Sequence, residues 1–342
     1  MSEALEQARL HPVPIPADSV GNLLATAARA PSVFNTQPWL FRVTTYTIEL
    51  YADPSRRLRS DPAGREMLIS CGAALFGLRL AIRALGYQPV VSLLPEPERP
   101  SLLASVRLGA GEPVTSRERA MIDALPHRHT HRGGFSPGPL PRGLLIGLQH
   151  DAVVEHAALA LIDRPVAYSH LAAIVAGVAG GPSAADQSAA DQSRADVRQW
   201  VRLPGSMARD GVPASAIPAS SIPQPGRLAQ RDLDLGRGIG QLSPDGSPPA
   251  ATAILLTSAD TPADWLRAGQ ALHRVLTHAA TQWVFACLYS QALESPPTRA
   301  LIRSRLGLPG APQLLLQFGL ARVAPATPRR PAAGLLTPAE PR

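Results

Sequence analysis

The sequence predicts an α+β protein in which two similar lobes share one chain. Three observations point there. Two long apolar segments, near 65–87 and 263–288, read as helices. Each begins shortly after a proline and follows β-rich stretches. Both carry the same small-residue signature, Gly72-Ala73-Ala74-Leu75 and Gly269-Gln270-Ala271-Leu272, a weak internal repeat. Two units joined in tandem imitate a two-fold dimer. The third observation is an interruption at about 180–250, with the tandem duplication SAADQSAADQS and prolines at 204, 213, 218, 223 and 225. A structureless insertion of that length is either a functional lid or a passive linker, and both readings stand. The division that follows is a tail at 1–17, a first half at 18–125, a second half at 126–332 containing the insertion, and a tail at 333–342.

The elements follow in order. Residues 1–16 are polar and proline-rich, an arm. Asp18 or Ser19 caps a helix through VGNLLATAARA, which stops before Pro31. APSVFNTQPW is a loop, and LFRVTTYTIELYAD one or two strands. Asp61-Pro62 starts the first long helix, which ends near Gly86 and is apolar on most sides, so it belongs in the centre. PVVSLLP and SLLASVRLG are strands, and SRERAMIDALP is a short helix. The second half opens on PHRHTHRGGF. PRGLLIGLQHDA then reads as a helix, VVEHAALALI as a strand, and 165–178 as a helix. ATAILLTS is a strand, ADWLRAGQALHRVLTHAATQWVFACL the second long helix, and PQLLLQFGLA the last strand.

Composition bounds the function. With 45% hydrophobic and 17% charged residues, 342 residues form a core. All 33 basic residues are Arg, so the net charge of +7 reflects arginine usage as readily as a polyanionic partner. Aromatic content of 4% and the lack of a recognition motif disfavour nucleic acid. Cys71 and Cys287 are too few for a disulfide framework and read as buried thiols in helical stretches. MSEALEQARL lacks the apolar core of a signal peptide, and apolar runs such as 171–181 are too short to cross a bilayer. A cytoplasmic protein without a membrane partner is expected.

PHRHTHRGGF poses the chemical question. In an extended segment, His127, His129 and His131 face one way, and Arg128, Thr130 and Arg132 the other. The His face suggests a metal, but no third or fourth ligand stands at a recognisable spacing, and such histidines are usually solvated. The Arg face suits a phosphomonoester, with Gly133-Gly134 letting the backbone approach a ligand. A surface arginine strip explains the same residues equally well. The polar loop APSVFNTQPW, able to present several hydrogen bonds to a planar ligand, favours the phosphate.

APSVFNTQPWLFRV resembles the APSxxNxQPW signature of the nitroreductase family of FMN-dependent oxidoreductases. R-x-T-x-R-x-x-F at 128–135 resembles that family's phosphate-binding Arg-x-Ser-x-Arg-x-Phe motif. The order, loop first and arginine motif second, is similar to the Acg-type branch with two nitroreductase-like halves in one chain. SCGAALFGLRLAIRALGY, LESPPTRALIRSRLGLPGAPQLLLQFG and TPRRP also resemble that branch, and the likeness spans about residues 18–332 outside the insertion. It implies a nitroreductase-like fold and one FMN per chain in a monomer acting as a pseudo-dimer. Arg128, Thr130 and Arg132 would hold the phosphate, joined by Arg329 and Arg330. Ser32, Asn35 and Gln37 would face the ring or ribityl chain, and Leu288 and Tyr289 would present backbone to flavin N5. NAD(P)H would be the donor and a nitroaromatic or quinone the small-molecule acceptor, with no catalytic side chain. The alternatives are an FMN-sequestering protein under a closed lid, or a flavin-dependent dehydrogenase or oxidase. Gln317 stands where the branch often has Arg, and Trp283, Phe285, Leu288 and Tyr289 are bulky for the pocket over the ring.

Overall fold

The computed structural model describes residues 13–180, 184–219, 226–243, 245–321 and 327–337. Two four-stranded antiparallel sheets flank a central pair of helices. After α1 (Val20–Ala27), strands β1 (Trp39–Val43) and β2 (Ile48–Ala52) form a hairpin. Helix α2 (Arg65–Ala84), β3 (Tyr87–Leu93), β4 (Leu102–Gly111) and α3 (Ser116–Ala124) follow. The first sheet has the order β1-β2-β4-β3. Alternation fixes its register: Trp39, Phe41, Ile48 and Leu50 point into the core, with Arg42 and Glu49 paired outside at 2.6 Å.

The second part contains α4 (Leu144–Val154), β5 (Ala158–Leu161), α5 (Pro165–Gly180), α6 (Ala184–Trp200), the two-residue strands β6 (Val201–Arg202) and β7 (Val212–Pro213), β8 (Ala251–Thr257), α7 (Pro262–Ala280), β9 (Val284–Leu288), α8 (Gln291–Glu294), α9 (Pro296–Leu306) and β10 (Ala311–Leu320). Its sheet has the order β5-β8-β10-β9. Thr261 and Asp264 close a capping box at the start of α7, as Thr115 and Glu118 do for α3.

The most extensive contact in the molecule is α2 against α7. It is possible because Gly72 and Gly269 meet there. A Cβ on Gly72 would overlap the Leu266 carbonyl, and one on Gly269 would overlap the Ile69 carbonyl and lie 2.9 Å from the Gly72 Cα. The repeated signature therefore marks a crossing point. Each sheet's core borrows from the far helix: Leu266 joins the first, Ile69 the second. Arg65 at the start of α2 donates from Nε to Gln313 Oε1 of β10 at 2.9 Å, a further tie between the two parts.

Several sequence expectations change. Helix α7 ends at Ala280, a turn through Trp283 follows, and VFACL is edge strand β9, so Cys287 is buried in a sheet while Cys71 is buried in a helix. Trp283 takes φ 55° to make that turn. VVEH belongs to the end of α4 and the turn after it, not to β5. The tandem duplication is not structureless: from Ala184 it forms α6. Ser19 makes no capping bond. Neither described arm is a free tail. Val13 bridges Leu108, and Leu336 bridges Phe41 with Leu335 fully buried, so residues 327–337 return to the first sheet. The rest of both tails, and Pro223 and Pro225, lie outside the described residues. Helix α2 is itself long and apolar enough to cross a membrane, unlike 171–181, but most of it is buried between the sheets.

Gly269→Ala should destabilise the protein by about 1–3 kcal/mol, because backbone rather than a movable side chain blocks the new methyl. Urea unfolding reads the effect, and an unchanged midpoint would contradict so close a crossing.

Candidate functional site

The loop between α1 and β1 is shaped before it binds anything. Phe34, Asn35 and Gln37 take φ of 51°, 56° and 50°. Non-glycine residues in that region carry strain and collect at functional sites. Ser32 Oγ accepts from Gln37 N at 3.0 Å, and Thr36 Oγ1 donates to Val33 O at 3.0 Å. These bonds hold the turn and leave Pro31, Ser32, Val33 and Phe34 lining an open cavity, about 110 Å³ of which is accessible to water.

The floor is the helix crossing: Ile69 and Ser70 from α2, and Leu272 from α7. One wall is β9 and the segment beside it, with Thr130, Arg132, Cys287 and Leu288. That segment is held by His131 N donating to Ala286 O at 2.9 Å. The roof comes from the insertion, as Val212, Gln230, Arg231 and Leu233. The insertion is fastened to the first part. Asp196 of α6, fully buried, accepts from the amides of Arg59 and Ser60 at 2.9 Å each. Arg56 pairs with Asp210 at 2.9 Å, and Trp200, Val201, Val212 and Ile217 pack with Phe34 and Leu58. Arg231 pairs with Glu294 and lies 4.8 Å over the Phe34 ring.

Charge decides what the site wants. Arg128 is buried and donates from Nη2 to Arg29 O at 3.0 Å, while its Nε and Nη1 have no partner. Burial, then Arg329 and Arg29, pull it down to about 9. Arg329 is pulled to about 10 by burial and by Arg29 and Arg132, and its Nε is also unpartnered. Arg132 is pulled down by burial, and among the described residues it has no hydrogen-bond or ion-pair partner. Among the described residues no carboxylate offsets Arg128 or Arg329. Neighbouring His273 is held neutral, pulled to about 3 chiefly by burial and then by Arg128, and its Nε2 is unpartnered. Arg329 otherwise donates through Nη1 to Asn35 and Thr327 and through Nη2 to Ala30 O, so the free donors are chiefly those of Arg128, and three guanidinium groups this close fit an anionic group such as a phosphomonoester.

Of the expected residues, Ser32, Thr130, Arg132 and Leu288 line the cavity, while Arg128 and Arg329 do not. Other expected residues serve differently. Asn35 Nδ2 donates to Gly211 O and Pro328 O at 3.0 Å each, and its Oδ1 accepts from Arg329 Nη1 at 3.1 Å. Gln37 is fully buried; it donates to Arg209 O at 2.9 Å and accepts from Arg330 N at 2.9 Å. Both amides clamp the insertion and the C-terminal segment to the loop instead of facing the cavity. Arg330 is turned to Gln37 O and Gly334 O. Tyr289 points away, donating to Gln317 Oε1 at 2.5 Å, and lines a smaller cavity. Gln317 also takes the Leu228 amide and donates to Gly226 O, so this residue ties the insertion to β10. Of the bulky residues on β9, only Leu288 reaches the main cavity. Phe285 packs on His129, and Trp283 is outside, stacked on His127.

Two of the three histidines are not solvated; His127 is half-buried, stacked on exposed Trp283. His129 and His131 are buried against Phe285 and Phe135 and are pulled to about 4, mainly by burial, so they add no charge. Gly133-Gly134 makes its close approach to protein, where a Cβ on Gly134 would overlap the Asp245 carbonyl. Sequence reasoning missed Arg29, Ser70, Leu272, Gln230 and Arg231. The matched glycines were the available signal for Ser70 and Leu272, since residues beside a helix crossing face whatever lies over it.

A two-sheet α+β chain whose cationic cavity lies over its central helix crossing defines a binder of an anionic small molecule. No protein-family model matches the chain. Over 327 residues, 92% of this chain and 90% of the relative, it is 35% identical to "Putative NAD(P)H nitroreductase Rv3131" of Mycobacterium tuberculosis. Over 320 residues, 92% of this chain and 94% of the relative, it is 28% identical to "Putative NAD(P)H nitroreductase acg" of the same organism. The chain belongs to this nitroreductase family. Solved structures matched include an FMN-bound nitroreductase from Bacteroides fragilis, 12% identical with TM-score 0.37, covering 64% of this chain and 98% of that one. Another is the FMN-dependent nitroreductase NfnB from Mycobacterium smegmatis with NADPH, 18% identical with TM-score 0.35, covering 59% and 88%.

The neutral histidines give a pH signature. Their folded values lie below the ordinary 6.5, so their contribution is present above pH 6.5 and lost as pH falls through about 4. Urea unfolding across this window should show stability falling by up to about 1.4 kcal/mol per pH unit per histidine. His129→Gln with His131→Gln should flatten that slope, and an equal slope would refute the assignment.

Proposed function

We propose that the protein is an FMN-dependent oxidoreductase that uses NAD(P)H for two-electron reduction of a nitroaromatic, quinone or similar acceptor. The observation that carries this reading is buried Arg128, whose Nε and Nη1 are unpartnered among the described residues, close to Arg329 and in the same segment as Thr130 and Arg132 on the cavity wall. The names of the relatives support the donor and the reaction class. Bound FMN supplies the electron transfer, since flavin chemistry belongs to the cofactor. The chain's residues hold and shield it. Arg128 and Arg329 take the phosphate, which relieves their unbalanced charge, and the Thr130 hydroxyl and Arg132 extend the polar wall. Ser32 and the strained loop meet the ligand from the opposite side, and the insertion keeps water from the reacting face. The two sheets and their crossing helices act as the two subunits of a dimeric enzyme, so the chain works as a cytoplasmic monomer with one flavin.

A second reading, flavin storage, is favoured by one observation: the roof of the cavity is fastened down through Asp196, Asp210 and Arg231. Turnover separates the two. The purified protein should be yellow and should oxidise NAD(P)H with menadione. A yellow protein with no turnover supports storage, and a colourless protein that takes up no added FMN refutes both. Arg128→Ala with Arg329→Ala should weaken FMN binding about 100-fold or more, at about 1.5–3 kcal/mol for each charged hydrogen-bond donor. Equilibrium fluorescence quenching of FMN measures it.

A further inference from the structure

Glu66 is a buried acid in the first turn of α2, only 4% exposed, and among the described residues its Oε2 has no partner. It lines a second cavity of about 170 Å³ together with Asp61, Thr36, Arg56, Val33 and Ser70. Val33 and Ser70 also line the main cavity, so the two spaces meet at those side chains. Ser70 stands one turn beyond Glu66, its Oγ donating to the Glu66 carbonyl at 2.8 Å. The part of it open to water is about 10 Å³, room for about one molecule.

The charges around Glu66 come from four elements. Asp61 precedes the helix, Arg65 lies beside it on α2, Glu294 comes from α8 and Arg231 from the insertion. Arg56 lines the cavity from the other side. Arg231 is taken by Glu294, and Arg65 by Gln313. Burial first, then Glu294 and Asp61, raise Glu66 to about 8, so it keeps its proton at neutral pH.

We propose that Glu66 is the proton reservoir of the main cavity, passing its carboxyl proton through water in the small cavity and the Ser70 hydroxyl to a ligand undergoing reduction. The proposal rests on the flavin reading and deepens it. Reduction of a quinone to a hydroquinone takes two electrons and two protons. NAD(P)H gives both electrons and one proton, leaving NAD(P)+. The other proton leaves Glu66 Oε2 as an O–H bond forms on the quinone oxygen, and the carboxylate is reprotonated from solvent. Glu66 acts through Ser70 and is a positioning residue.

Two measurements test it. In cofactor-free protein at pH 7, difference infrared spectroscopy of wild type against Glu66→Gln should show a protonated-carboxyl stretch that disappears near pH 8; its absence overturns the reservoir. In FMN-loaded enzyme, Glu66→Gln should lower kcat with menadione at least about 10-fold. FMN content and the KM for NAD(P)H should stay unchanged, and the fall in kcat above pH 8 should vanish. Ser70→Ala should lower kcat in the same way, and it carries the test if Glu66→Gln does not fold. Unchanged kcat and pH profile in a fully loaded variant overturn the proposal. A wild type that takes up no FMN overturns the flavin reading and, with it, the delivery step, while the infrared band still reports the buried acid.

Discussion

Two helices pass each other at a pair of glycines, and the rest of the molecule is arranged around that approach. A side chain on either Gly72 or Gly269 would meet the opposite backbone. Backbone contact at this point brings the two sheets close enough for each to bury a residue from the other's helix. It also places Ile69, Ser70 and Leu272 under one cavity. The site is thus set by a steric rule about two residues that carry no chemistry.

Over that floor the structure opposes two kinds of burial. Apolar burial holds the insertion down, through Trp200, Val212 and Ile217 on Phe34 and Leu58. Cation burial works the other way, since Arg128, Arg132 and Arg329 are each less basic than an exposed guanidinium. An arrangement that leaves such donors unpartnered is costly until an anion meets them. Stability and readiness to bind are therefore opposed in the same few side chains. Asn35 mediates between them: one amide joins the loop, the insertion and the segment that delivers Arg329.

Much of this was legible in the sequence, for identifiable reasons. β-Branched and aromatic residues located β1 and β2, and prolines with the polar residues before them located both central helices. The matched glycines stand where the two central helices cross, and of the arginine–threonine–arginine motif Thr130 and Arg132 line the cavity. Illegible features were those settled by distant partners. Nothing local distinguishes Trp283–Leu288 as a strand, because only pairing with β10 makes it one. His129 and His131 looked solvated because Phe285 and Phe135, which bury them, lie elsewhere in the chain. Gln37 and Arg330 matched a ligand-binding pattern, yet each satisfies the other. SAADQS reads as a flexible repeat until Asp196 and Val197 anchor the helix it begins.

The return of residues 327–337 to the first sheet carries a consequence for biosynthesis. Leu336 lies beside Phe41, and Arg329 reaches Asn35 across almost the whole chain. A ribosome makes the loop at Asn35 long before it makes Arg329. The core of the first sheet takes Leu266 and Leu335, so that core and the contact of Arg329 with Asn35 both wait for residues made late in translation.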